Sequence, residues 1–263
     1  MSVVGASVNG VHPQATVDLA LALRAGGLDA TEIGRSLGVP KSTIQYWCRG
    51  GRRPADPRAE PPVCPRCHEF PLDEFRYAHL LGHYLGDGHI SISRRSVPCL
   101  SIYCADDWLG VRAEVMASMS AVMTASKVHL VARTGCHAVK SYTKHWLCLF
   151  PQHGAGPKHA RPIALEPWQQ EIVEREPDRL LRGLFHSDGC RITNWTEKQT
   201  ESGTKRYEYP RYFFSNKSTD ILGIATTALD RLGVAYRRPR WDLVSVARRE
   251  AVARLDEFVG PKY

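Results

Sequence analysis

The sequence has no apolar run approaching the ~18 residues that a membrane span requires. Its first residues, MSVVGASVNGVHPQATVD, lack a basic stretch followed by an apolar one. Neither a membrane-spanning nor a secreted protein is expected, and the chain is read as cytoplasmic. Without export, the eight cysteines are expected to be reduced thiols rather than a disulfide framework; they are Cys48, Cys64, Cys67, Cys99, Cys104, Cys136, Cys148 and Cys190. Lysine is scarce as well, supplying 9 of the 35 basic residues against 26 arginines.

What is present is a chain of 263 residues, long enough for one large domain or two smaller ones with a substantial core. The formal net charge is +8. Arginine's planar fork suits phosphate and guanine, so the bias points towards nucleic acid. A GC-rich genome produces the same bias, and charge alone does not decide.

Residues 1–13 are small and polar and are expected to be disordered. Apolar residues from Val17 to Leu23 predict a helix stopped by Gly26-Gly27, and Asp29-Ala-Thr-Glu32 reads as a capping box opening a second. Gly38 then makes a tight turn into a third helix carrying Ile44 and Trp47, with Ser42, Thr43, Gln45, Tyr46 and Arg49 on its outer side. Residues 14–49 resemble a helix-turn-helix of the resolvase and transposase kind, whose last helix would lie in the major groove. A small three-helix module without DNA contact is the alternative. Residues 50–63 form a Pro/Arg-rich linker that either tracks phosphates or only spaces, and residues 64–72 a cysteine knuckle.

From Asp73 onward the chain repeats itself. LLGHYLGDG at 80–88 and LRGLFHSDG at 181–189 match at Leu, Gly, an aromatic, Asp and Gly, and each is followed by two strands, a helix, more strand and a closing helix. The first repeat is placed at 73–160 and the second at 161–263. Gly82 and Gly86, like Gly183 and Ser187, are four apart and share one helix face, so the two helices can meet backbone to backbone. Leu80, Leu81, Tyr84 and Leu85, with Leu180, Leu181, Leu184 and Phe185, then pack into each half's own core. Asp87 and Asp188 would meet at the helix C-termini, where the dipole disfavours a carboxylate. Such a pair is unfavourable unless something positive binds, and a hard divalent cation such as Mg²⁺ suits it.

These strings resemble the LAGLIDADG homing-endonuclease family in its two-motif, single-chain form. The resemblance implies an α+β fold, a duplicated αββαββα saddle preceded by the small all-α domain. It also implies a double-stranded DNA partner, a monomer whose repeats form a pseudo-dimer, and a bacterial, nucleoid-associated setting. Asp87 and Asp188 carry over as the metal-binding acids. By their place in the repeats, Lys144 and Arg248 (or Arg249) are the basic residues expected near the scissile phosphates, ordinary surface basic residues being the alternative. Arg211 and Arg240, in runs that mix bases with aromatics, are expected to contact a groove. His83, Leu85, Arg182 and His186 depart from the name-giving string at packing positions.

Cys64-Pro-Arg-Cys67 has a zinc-knuckle spacing that lacks two ligands, and His145, Cys148, His153 and His159 can supply them. The expected set is Cys64, Cys67, Cys148 and His153; core thiols with surface histidines are the alternative. The leading reading is a metal-dependent DNA endonuclease. The second is a transcriptional regulator that keeps the fold to bind DNA without cleaving it; an RNA maturase fits the all-α domain less well.

Overall fold

In the computed structural model, residues 12–51, 64–93, 96–200 and 203–263 are described. Most of the expected linker, with Arg52, Arg53 and Arg58, and all but the end of the expected disordered start lie outside them. The chain divides into two units, Met1–Pro61 and Pro62–Tyr263.

In the first unit the capping box forms as expected. Asp29 Oδ1 accepts from the backbone N–H of Thr31 and Glu32 at 2.6 and 2.9 Å, and Glu32 Oε2 accepts from Asp29 N–H at 2.8 Å. These bonds start α2 (Ala30–Leu37), which follows α1 (Gln14–Ala25). Gly38 ends α2 at φ +67°, where a side chain would be strained. A Cβ on Gly34 would lie 2.6 Å from Val39 O, so α3 (Lys41–Cys48) begins in a tight corner. Val17, Ala20, Ile33, Val39, Ile44 and Trp47 make the core. Ser42, Tyr46 and Arg49 are exposed on α3, and Thr43 and Gln45 are half-buried.

The second unit contains one pattern twice. The first copy runs α4 (Glu74–Leu85), β1 (Gly88–Ile92), β2 (Pro98–Ala105), α5 (Leu109–Val122), β3 (Val128–Arg133), β4 (Cys136–Tyr142) and α6 (Trp146–Leu149). A connecting helix, α7 (Pro167–Arg175), follows. The second copy runs α8 (Pro177–Asp188), β5 (Gly189–Thr200), β6 (Gly203–Ser215), α9 (Thr219–Arg231), β7 (Arg237–Arg240), β8 (Leu243–Val246) and α10 (Arg249–Asp256). Both sheets are antiparallel and share one strand order, β1-β2-β4-β3 and β5-β6-β8-β7. The fold is the duplicated αββαββα arrangement.

Strand alternation decides what each sheet presents. In the first sheet Ile90, Leu100, Ile102 and Val139 point into the core, while His89, Tyr103 and Tyr142 lie on the other face and are exposed. In the second, Tyr212, Phe214, Val244 and Val246 point inward, and Ile192, Arg211 and Phe213 take the opposite face. Two expectations change. Strands expected at Cys190–Trp195 and Tyr209–Ser215 extend into a long β5–β6 ribbon. Its outer half is exposed on both faces, so no alternation marks it. Of the strand expected at Trp241–Val246 only Leu243–Val246 forms, as β8; it pairs with β7 at Arg237–Arg240, and Trp241 is exposed at their turn.

Candidate active site

α4 and α8 cross where they carry no side chains. A Cβ on Gly82 would lie 2.8 Å from Leu184 N, 2.9 Å from Gly183 Cα and closer still to Leu180 O. A Cβ on Gly183 would lie 2.9 Å from His83 N. Beside them Ser187 occupies the space a Gly86 side chain would need, since a Cβ there would be 2.7 Å from Ser187 Cβ and 3.3 Å from Asp188 Cγ. The Ser187 hydroxyl accepts from Asp87 N–H at 3.2 Å, so it does more than imitate glycine. The eight flanking apolar residues expected in the cores are buried. Gly88 and Gly189 are required for a close approach, Gly189 also being the C-cap of α8. Neither has a positive φ, and a Cβ on either would meet the helix just left, 2.6 Å from Tyr84 Cα or 2.8 Å from Phe185 Cα.

The departures from an apolar motif are accommodated by a polar network. Arg182 donates through its fork to Glu114 at 2.8 and 2.7 Å, and to Phe258 O and Val259 O at 2.7 Å each. His186 Nε2 donates to Val259 O at 2.9 Å, and Tyr263 OH to Glu114 at 2.5 Å. Burial works to raise the Glu114 carboxyl, but His79 Nε2 at 3.4 Å and the hydrogen bonds from Arg182 and Tyr263 outweigh it and hold it well below the carboxylate range. Burial lowers His83 and His186, which stay neutral. The result is that residues 258–263 are bound onto the helix pair.

That binding brings in a cation. Lys262 Nζ donates to Ser187 O at 2.9 Å, at the end of α8. At the end of α4, Lys158 Nζ donates to the carbonyls of Tyr84, Leu85 and Gly86 at 2.5, 3.0 and 2.6 Å. Each motif helix thus ends on a lysine that offsets the negative end of its dipole. Asp87 and Asp188 therefore do not await a positive charge supplied only from outside, as their positions in the sequence suggest. Two lysines are nevertheless not enough. Burial raises the Asp87 carboxyl, and burial together with the Asp87 charge pushes Asp188 up to about 6, against the lowering effects of Asn216, Lys158 and Lys262. Asn216 Nδ2 donates to Asp188 Oδ2 at 2.6 Å. Burial lowers Lys158 to about 8 even with both acids holding its proton.

Lys144 and Arg248, expected near the scissile phosphates, are not the cations coupled to the acid pair, which are Lys158 and Lys262. Lys144 is exposed between β4 and α6, and Arg248 caps α10. Arg248 lines a groove with Arg211, Arg237, Tyr236 and Ser245, and Arg211 Nε donates to Ser245 Oγ at 2.9 Å. Arg240 is exposed and paired with Asp242 at 3.1 Å. The sequence does carry a signal for Lys158 and Lys262. Gly-Pro-Lys occurs at 156–158 and again at 260–262, once behind each repeat. Both glycines are left-handed, at φ +78° and +65°.

Of the expected zinc set, Cys64, Cys67 and Cys148 come together, but with His145 in place of His153. The four ligand atoms lie within 4.8 Å of one another. His145 and Cys148 are one helical turn apart, which puts both at the knuckle. His153 lies beyond α6, in a turn closed by its own N–H to Phe150 O.

The chain matches no family model and no curated protein. Among solved structures it is similar to variants of the homing endonuclease I-DmoI, with 15% identity over 71% of this chain and 96% of that one and a TM-score of 0.43. It is similar to the LAGLIDADG homing endonuclease I-SmaMI bound to cleaved DNA, with 8% identity over 67% and 79% and a TM-score of 0.43. For the LAGLIDADG meganuclease I-AabMI bound to uncleaved DNA the values are 12%, 69%, 83% and 0.44. Likenesses of this size assign no residue and no activity. Among the described residues no helix is long and apolar enough to cross a membrane.

Proposed function

We propose that the second unit is a divalent-cation-dependent endonuclease acting on double-stranded DNA, and that the first unit adds a DNA-reading helix. The observation that carries this is the geometry of the acid pair: Asp87 and Asp188 are brought together where the two motif helices end, with Lys158 and Lys262 bound to the helix-end carbonyls beside them, and both carboxyls are raised. A catalytic pair left short of positive charge, built from acceptor-only oxygens, fits a hard cation such as Mg²⁺. Asp87 and Asp188 would hold it, and when bound it supplies charge stabilisation for phosphodiester hydrolysis and a more acidic water. Asn216 orients Asp188 by its hydrogen bond. Lys158 and Lys262 keep positive charge where a phosphate would approach and are the basic helpers in place of Lys144 and Arg248. In the reaction, water adds to phosphorus, one bridging P–O bond breaks, and the leaving oxygen departs with a proton.

The outer face of the second sheet supports DNA as the substrate. It presents Arg211 with Phe213 and Ile192, and beyond it the ribbon stacks Arg206 on Trp195 at 4.9 Å. Arg248 joins Arg211 and Arg237 in the groove and is read as a phosphate contact. In the first unit Ser42, Thr43, Gln45, Tyr46 and Arg49 are the candidate base and phosphate contacts, and Arg240 is a weaker one because Asp242 engages it. One chain holds both halves, so a monomer suffices. A nucleoid location follows from this reading.

The test is incubation with a random-sequence duplex library and Mg²⁺, comparing the wild type with Asp87→Asn and Asp188→Asn. Cleavage by the wild type and by neither variant is expected. Tight binding without cleavage in Mg²⁺, Mn²⁺ or Ca²⁺ overturns the enzyme and leaves the regulator.

A further inference from the structure

We infer that Cys64, Cys67, His145 and Cys148 form a closed structural zinc site that fastens the first residues of the second unit onto the first repeat. The four ligand atoms lie within 4.8 Å of one another. Cys67 Sγ is 3.1 Å from Cys148 Sγ, and Cys148 Sγ is 4.0 Å from His145 Nδ1. A tetrahedral zinc with bonds of about 2.3 Å to sulfur and about 2.0 Å to nitrogen needs sulfurs about 3.8 Å apart and S···N of about 3.6 Å. Small side-chain rotations close the difference.

The surroundings are built for it. The knuckle turn is held by Cys67 N–H donating to Cys64 Sγ at 3.4 Å, a bond a thiolate accepts better than a thiol. His68 is kept out of the ligand set, because its Nδ1 accepts from Cys64 N–H at 3.0 Å. Three thiolates and a neutral imidazole leave one net negative charge on a zinc site, and Arg66 and Lys144 flank the ligands in sequence. This gives Lys144 a place that the acid pair does not.

The segment also needs a tether. From Cys64 to Phe70 only Cys64 and Pro65 are buried, and Glu69 holds a left-handed φ of +54°. Arg66 stacks on Trp168 at 4.4 Å, an exposed contact of modest worth. A metal joining Cys67 to Cys148, 81 residues on, supplies what apolar burial does not. Soft thiolates select zinc over Mg²⁺, and four protein ligands leave no open position for water, so the site takes no part in hydrolysis.

Elemental analysis of the full chain should find one zinc per molecule, retained by His153→Ala and by Asp87→Asn. Cys148→Ser and His145→Ala should lose it on dialysis and unfold several degrees lower. Titrating the metal-stripped wild type with Co²⁺ should give the intense ligand-field bands of tetrahedral S₃N coordination, a readout that needs no variant to fold. Absence of both zinc and those bands overturns the inference, as does a Cys67–Cys148 disulfide in protein purified without oxidant. Zinc kept by His145→Ala and lost by His153→Ala overturns the ligand set. None of these outcomes depends on DNA cleavage.

Discussion

Replacing Gly82 by alanine tests the helix seam on which the acid pair depends. By helix propensity alone the change is favourable by about 1 kcal/mol. In the structure the added methyl meets backbone on three sides, at 2.8 Å from Leu184 N, 2.9 Å from Gly183 Cα and nearer still to Leu180 O. Backbone cannot rotate away, so α8 must retreat by roughly 0.5–1 Å to restore ordinary contact, which forfeits a quarter to a half of each dispersion well along the seam. Overpacking of this kind costs about 1–3 kcal/mol, and the upper end is expected here because no flexible side chain yields. Net destabilisation of about 2 kcal/mol would lower the urea midpoint by about 0.7 M for a slope near 3 kcal/mol/M. The same retreat separates Asp87 from Asp188, and a shift of about 1 Å at a reacting centre costs about 100-fold in rate. Gly223→Ala in α9 is the matched control: a Cβ there meets nothing within 4 Å, so propensity should prevail and stability rise by about 0.5–1 kcal/mol. Urea denaturation of the two variants should give shifts of opposite sign. Shifts of the same sign would refute the reasoning.

Two further outcomes follow from the acid pair. The Asp188 carboxyl sits at about 6 when folded and near the ordinary ~3.9 when unfolded. The folded state therefore holds that proton more tightly, and stability falls as pH rises from about 4 to about 6. Asp188→Asn should accordingly stabilise the metal-free protein above pH 6, by on the order of 1 kcal/mol after discounting for solvent. Chelator-treated samples unfolded at pH 5 and pH 8 should show the variant's advantage partly developed at pH 5 and complete at pH 8; a variant less stable at pH 8 would contradict the assignment. Lys158→Met should remove three carbonyl contacts and raise Asp188 above about 6, moving the acid limb of the cleavage pH profile upward and costing about 1–3 kcal/mol of stability. An unchanged profile would return Lys158 to a purely structural role.

Much of this protein is local, and what is local was legible. The Asp29/Glu32 cap, the Gly38 stop and the duplicated strings each depend on residues within a few positions of one another. The glycine spacing even implied which helices would touch, because removing a Cβ from one face leaves a smooth surface for a partner. The long β5–β6 ribbon was illegible for the opposite reason: a ribbon exposed on both faces has no hydrophobic period, and its ladder bonds belong to backbone that every residue shares.

The amino-acid sequence by itself determined the repeat, the two acids and their meeting at paired helix ends. Only the tertiary structure decided what surrounds them. Lys158 and Lys262 reach carbonyls more than 70 residues away, and the Gly-Pro-Lys strings that carry them mean nothing until those helix ends are placed. His145 displaces His153 because one helical turn sets it beside Cys148 at the knuckle, while the chain turns away beyond α6. A side chain that satisfies a distant carbonyl or thiol leaves no period behind. Its position is set by where loops return to the core, which is a property of the folded chain.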